Sequence, residues 1–503
     1  MSADASESVS GAIRSLIPAR IDRLPWSSFH TRLVAALGVA WVLDGLEITV
    51  ASAVADMLTK PETLALPSVA VGATASVYLL GQVVGALFFG HLSDKLGRRN
   101  LFMITLGIYL VGSGLTALTL SNGVVSVGWL FLTRFIAGTG IGGEYAAINS
   151  AIDELIPARY RGRVDLLVNG TYWLGALIGT LGTFIVLNAI HPSLAWRIGF
   201  LIGPVLGLII LVVRRNLPES PRWQIMNGRE AAAEESISMI EREVRRRGKT
   251  LPAVDESKML ELRPTDKIGY LELAKVLFHE YPTRSVLGAS LMITQSFLYN
   301  AIFFTYTIVL GKFYGVDSKD APLYLIAFAI GNFLGPLVLG RFFDTVGRKK
   351  MISGTYILSG LLLAISAVLF EAGALTATTQ TAAWCVIFFF ASAGASAGYL
   401  TVSELFPLEV RAKAIAVFFC IAQCFGLLGP IIYGALIGDG SNPTNMFIGF
   451  LMAAVIMIIG GVVAVLFAVD AEGKSLEDLA PPFAVVGRPG TARAEDAAHP
   501  TGT

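Results

Sequence analysis

GHLSDKLGRR begins at Gly90 and GRFFDTVGRK begins at Gly340; DELIPARYRGR begins at Asp153 and SELFPLEVRAK begins at Ser403. Each second copy follows its first at the same spacing of 250 residues (90 to 340, 153 to 403). Two different motifs repeated at one offset mark an internal duplication, so the chain reads as two copies of one unit. Each copy of the charged motif sits in a short gap between two long apolar stretches, and those stretches decide the class of protein.

A bilayer needs about 20 consecutive apolar residues per helical span. Twelve stretches qualify, near 33–56, 70–90, 101–121, 125–150, 165–190, 196–213, 285–311, 322–343, 351–371, 382–403, 413–437 and 445–469. Composition agrees: 54% of residues are hydrophobic and only 15% are charged, against about 25% charged in soluble domains. Mean hydropathy is +0.66. The 52 glycines suit close helix packing in lipid. The expected architecture is an all-α membrane protein of twelve transmembrane helices in two pseudo-symmetric six-helix halves. The halves are 1–213 and 285–470, with a middle segment at 214–284 and a tail at 471–503. The middle segment contains EAAAEESISMIEREVRRR, which reads as surface helix.

Lys and Arg orient the chain. With the N-terminus inside, thirty-three of the 38 fall in inside regions, and only Lys60, Arg197, Lys312 and Lys319 fall outside. This bias predicts a multi-pass cell-membrane protein with both termini cytoplasmic. A net charge of +1 gives no reason to expect a nucleic-acid partner. Cys385, Cys420 and Cys424 lie in apolar runs at spacings that fit neither a disulfide framework nor a metal site. Paired halves imply a solute site near the midplane, with access alternating from side to side.

The motifs resemble those of the major facilitator superfamily. Gly90, Asp94, Gly97, Arg98 and Arg99 are similar to its signature loop between helices 2 and 3, and Gly340, Asp344, Gly347, Arg348 and Lys349 repeat it. Within the superfamily RFIAGTGIGGE (134–144), AWR (195–197), PESPRW (218–223), ELFPLEVR (404–411) and EGKSLEDL (472–479) resemble the sugar porters. The seventh span keeps Gln295 and Asn300 of the sugar signature, but Thr294, Leu298, Phe304 and Thr305 replace its other members, and Gly398-Tyr399 replaces a Pro-Trp pair. Asp44-Gly45-Leu46-Glu47 is instead similar to the first-helix signature of aromatic-acid/proton symporters. The resemblance implies secondary transport of a small polar organic solute, a sugar or polyol or an organic acid, by proton-coupled symport. It implies a functional monomer in the lipid bilayer, no cofactor beyond the proton, and no enzyme activity. A facilitated-diffusion uniporter and a transporter-like nutrient receptor are the alternatives.

Asp44 and Glu47 lie three residues apart on one face of the first span. An ionisable group at the bilayer centre costs about 2.5–3.5 kcal/mol on insertion scales, so it is expected to face a cavity or a partner. Arg134 lies about nine residues from the outer end of its span and Glu47 about ten, which at about 1.5 Å per residue sets them level. The three form the expected proton-coupling group, with a static ion pair as the alternative. Polar or aromatic residues of central spans are candidate solute contacts: Asn169, Trp173, Gln295, Asn300, Tyr399 and Gln423. Gating residues implied by the resemblance are Asp94, Arg98, Arg99, Asp344 and Arg348 at the signature loops. Ion pairs Glu154–Arg161 and Glu404–Arg411 recur in both halves, and Glu144 and Asp165 join that network. Gly138, Gly140 and Gly143 fit GxGxxG, but inside an apolar helix they read as packing residues rather than a nucleotide loop. GASAG at 394–398 fits GxSxG without the strand–turn–helix that a nucleophile needs. Gly429-Pro430 is expected to kink its helix.

Overall fold

The structure, a computed structural model, describes residues 13–119, 123–214, 219–226, 228–254, 260–262, 269–406 and 408–468. Six long helices form the first half: α2 (Ser28–Val54), α3 (Ser68–Leu96), α4 (Arg98–Ala117), α5 (Val124–Leu155), α6 (Ala158–Ala189) and α7 (Pro192–Arg214). They follow a short α1 (Ile17–Asp22). The second half holds α11 (Pro282–Tyr314), α12 (Ala321–Thr345), α13 (Arg348–Glu371), α14 (Ala377–Leu405), α15 (Leu408–Gly426), α16 (Leu428–Ile437) and α17 (Pro443–Phe467). The expected eleventh span is therefore two helices that break at Leu427, just ahead of Gly429-Pro430, because Pro430 has no amide hydrogen to continue the ladder. Eleven of the described spans are long and apolar enough to cross a membrane. The remaining long helix, α14, is where the 382–403 span was expected.

Side-chain exposure is inverted relative to a soluble protein. Leu208, Ile209, Leu337 and Leu466 are exposed, while Asp44, Glu47, Gln82 and Arg134 are buried. That arrangement suits hydrocarbon outside and a polar seam between helices. Small residues let the helices approach: a Cβ added to Gly138 would stand 2.0 Å from the Tyr78 carbonyl oxygen, and one added to Gly45 would stand 2.0 Å from that of Tyr172. The glycines read as packing residues do pack in this way. The duplication is also visible in the backbone. Gly97, between α3 and α4, has φ +83°, and Gly347, between α12 and α13, has φ +113°. Both signature loops need a conformation that residues with a Cβ resist.

The two halves touch from the midplane to the end of the bundle remote from the middle segment. Ser52 Oγ donates to the Phe303 carbonyl, and Thr307 Oγ1 donates to the Ser52 carbonyl at 2.6 Å. Ser68 Oγ donates to Gly438 at 2.8 Å and Ser76 Oγ to Leu427 at 2.5 Å. Buried Asp56, which Lys60 approaches to 3.3 Å, accepts a hydrogen bond from Ser318 of the other half. At the opposite end a cap forms. The middle segment supplies α8 (Pro221–Met226), α9 (Glu230–Arg246) and α10 (Tyr270–Lys275), followed by a π-helical turn at Val276–Glu280. Ala233, Ile237, Ile240 and Val244 of α9 join Ile17, Ile21 and Leu24 in one apolar cluster. Arg20 bridges Glu241 at 2.9 Å and Glu234 at 2.6 Å, while Arg32 bridges Glu243 at 2.5 Å. Two three-residue strands depart from the all-α expectation: β1 (Ile13–Ser15) pairs antiparallel with β2 (Leu260–Leu262).

Candidate solute and proton site

Glu47 and Arg134 meet. Arg134 Nη1 donates to Glu47 Oε1 with both side chains sealed from solvent. Tyr109 donates to Glu47 Oε2 at 2.9 Å, and Ser113 Oγ lies 2.9 Å from Oε2 and 3.1 Å from Oε1. A carboxylate so placed is fully served by one cation and two hydroxyls. The guanidinium is not. Arg134 Nε and Nη2 have no hydrogen-bond partner among the described residues. They are held instead by ring faces, with the guanidinium carbon 4.4 Å from the Tyr78 centroid and 5.1 Å from that of Phe200. Ring quadrupoles offset a cation's charge but do not satisfy its directional donors.

Asp44 lies one turn nearer the cap end of α2. Tyr78 reaches it at 3.4 Å. It lines a small cleft with Ala40, Trp41, Ile141, Glu144 and Ile148. The expected coupling group therefore divides into a sealed pair, Glu47 with Arg134, and a carboxylate beside a cleft, Asp44 with Glu144. Glu144, expected among the gating residues, is brought to Asp44.

Three of the solute candidates, Gln295, Asn300 and Gln423, lie on the other half. Asn300 Nδ2 donates to the Ser296 carbonyl at 2.8 Å and lies 3.5 Å from Gln423 Oε1, which also accepts from Ser296 Oγ at 2.5 Å. Gln423 Nε2 donates to Gln82 Oε1 at 2.5 Å, across the junction of the halves. Gln295 donates to the Ala391 carbonyl at 3.2 Å, and its Oε1 is buried without a partner among the described residues. Trp173 stands on the first half 6.3 Å from Tyr299 of the second, in an aromatic row that continues through Tyr172 to Trp41. Tyr299 in turn donates to Asn332 Oδ1 at 2.8 Å. Asn169 is half-buried on α6 and joins none of these clusters.

The gating residues are only partly visible. Arg99 is exposed, and its backbone N–H donates to Glu219 Oε2 at 3.3 Å, beside Gly97. Arg348 is half-buried. The side chains of Asp94, Arg98, Asp344, Glu154, Arg161, Asp165, Glu404, Arg411 and Tyr399 lie outside the described residues. Sequence reading missed Tyr78, Gln82, Tyr109, Ser113, Ser296 and Tyr299. The available signal was the four-residue spacing of Tyr78 and Gln82, and of Tyr109 and Ser113, on otherwise apolar helices, which puts each pair on one face.

The model of the family described as "Sugar (and other) transporter" matches residues 41–483. The niacin transporter NiaP of Acinetobacter baylyi is 26% identical over 463 residues, covering 92% of this chain and 98% of that protein. The glucose transporter GlcP of Staphylococcus epidermidis is 26% identical over 424 residues, covering 82% and 89%. Among solved structures, the proton:xylose symporter XylE superimposes with a TM-score of 0.69 at 18% identity, covering 90% of this chain and 98% of that one. The XylE likeness shows the fold, two six-helix halves of a major facilitator protein. The protein is thus a multi-pass membrane transporter of small solutes with the major facilitator fold, and no enzyme, and it belongs to the sugar (and other) transporter family.

Proposed function

We propose that the protein is a proton-coupled symporter of a small organic acid with a flat ring, with nicotinate as the test case. It works as a monomer by alternating access, in a cell membrane, with both termini and the α9 cap in the cytoplasm. The observation that carries the reading is the sealed Glu47–Arg134 pair. A charge there is tolerated only with its partner. Protonated Glu47 is neutral and can part from Arg134, whereas ionised Glu47 cannot. When the halves rock and the pair makes and breaks, proton occupancy biases conformation, and solute binding biases the same equilibrium. Protonation of Glu47 also leaves Arg134 with an uncompensated charge and free donors, which a carboxylate would meet. The aromatic row from Trp41 to Tyr299 offers a flat ring faces to stack on.

Nicotinate uptake into proteoliposomes under an imposed proton gradient tests this. Wild type should accumulate nicotinate uphill and in a pH-dependent way. Glu47→Gln should lose accumulation yet keep exchange down a gradient. Uphill, pH-dependent accumulation by Glu47→Gln would remove Glu47 from the coupling role. Wild-type uptake that ignores the proton gradient would leave facilitated diffusion. A second reading, a sugar or polyol solute, is favoured by the amides Gln295, Asn300 and Gln423, which suit hydroxyl groups, and D-glucose is its probe.

A further inference from the structure

Gln82 occupies the middle of α3 (Ser68–Leu96), at the depth where paired-repeat transporters hold solute. Its side chain is 0% exposed. It is the point where the amide cluster of the second half reaches the first. The direction of that bond can be worked out link by link. Asn300 Nδ2 donates to a backbone carbonyl, that of Ser296, so its amide orientation is set. Asn300 Nδ2 also donates to Ser296 Oγ at 3.1 Å, so that hydroxyl gives its own proton to Gln423 Oε1 at 2.5 Å, and Gln423 turns its nitrogen toward Gln82. Gln82 meets that nitrogen with Oε1, so the atom left over is Nε2, a donor.

That donor has no hydrogen bond of normal geometry among the described residues, although it adjoins the Tyr78 phenol. A buried N–H without an acceptor is costly, and repacking cannot easily relieve this one. A Cβ on Gly142 would stand 2.0 Å from the Gln82 carbonyl oxygen, so the backbones of α3 and α5 are already in contact there. An acceptor atom of something that enters the site would give it a bond of normal geometry.

We propose that Gln82 is a solute-contacting residue, its Nε2 donating to an acceptor atom of the solute while Oε1 stays bonded to Gln423. One solute would then touch the half that carries Glu47 and Arg134 and the half that carries Asn300 and Gln423. The inference rests on the proposed transport of a small solute with acceptor atoms, and it adds the residue of the first half that reads them.

The test is equilibrium binding of nicotinate, and in parallel D-glucose, to purified full-length protein, with melting temperature measured alongside. Gln82→Met keeps the length of the side chain and removes both polar atoms. Gln82→Glu keeps the acceptor for Gln423 and replaces the free donor with oxygen, so it guards against a Met variant that fails to fold. Both should melt within a few degrees of wild type. Both should weaken binding of whichever probe wild type binds by about 10- to 100-fold, as expected for a lost buried hydrogen bond. For nicotinate the Glu variant should be the weaker, because two anions then face each other. Wild-type affinity in either folded variant overturns the role of Gln82 and leaves the transport reading intact. If wild type binds neither probe, the solute classes proposed above fail and the inference falls with them.

Discussion

The two halves descend from one unit, yet they spend their buried volume differently. At the repeat spacing Arg134 corresponds to Trp384, Tyr78 to Phe328 and Gln82 to Asn332. In the first half Arg134 is packed against Tyr78 and bonded to Glu47. In the second, Trp384 lies 4.9 Å from Tyr306, which lies 5.2 Å from Phe328. A charged pair over an aromatic ring in one copy has an aromatic cluster as its counterpart in the other. The same helix geometry can thus hold a switch or a fixed core. On the proposed reading the charged copy handles the proton, and both copies contact the solute, the second through its amides.

The sharpest way to break this comparison is to unpair the switch. Arg134→Leu alone leaves Glu47 buried and uncompensated and should lower stability by about 3–5 kcal/mol, read as a large drop in melting temperature in detergent. Adding Glu47→Gln should recover most of that loss without restoring uphill transport. Recovery of uphill transport in the double variant would show that the pair is only structural. A smaller effect is expected on the other side. Trp384→Phe shrinks the aromatic cluster and should cost about 1–3 kcal/mol, with the accumulation ratio per proton unchanged in whatever protein inserts. A changed ratio would mean that the second half shares the coupling.

The smallest effect belongs to α9 of the cap, which sits on the first half. Burial pushes the Glu241 carboxyl up, but hydrogen bonds from Arg20 and Arg23 outweigh it and hold it below the usual carboxylate range. A carboxyl held low in the folded state contributes stability that is present above its unfolded pKa and lost as pH falls through the folded one. Protease cleavage near residues 13–27 should therefore rise as pH drops below the ordinary carboxylate range. Glu241→Gln should cleave readily at neutral pH already and lose that step, while cleavage that does not depend on pH would remove Glu241 from the docking.

Much of this was legible in the residues. Span positions follow from the length of apolar runs, because lipid leaves a helix few alternatives. The loop glycines and the duplication could be read from one offset. Glu47 and Arg134 could be paired by counting depth, since charge inside a span is rare enough to be conspicuous. Gln82, Tyr109 and Ser113 stand out far less, because an uncharged polar residue in an apolar helix costs less than a charge, and only the four-residue spacing of Tyr78 with Gln82 and of Tyr109 with Ser113 marks their faces. The pairing of Ile13–Ser15 with Leu260–Leu262 joins segments some 250 residues apart without alternating pattern, so only packing reveals it.

The buried guanidinium of the first half has an electrical consequence. The sequence sets Arg134 at the depth of a span, and among the described residues Glu47 is the anion bonded to it. If a proton on Glu47 travels with a monocarboxylate, the loaded carrier gains one positive and one negative charge and crosses with no net current. The membrane voltage, worth about 2.3 kcal/mol per charge per 100 mV, then does no work on the cycle, and the cell concentrates the solute by its pH difference alone. A neutral sugar with the same proton would carry current and draw on both. The identity of the cargo is thereby written in whether clamping the voltage changes uptake.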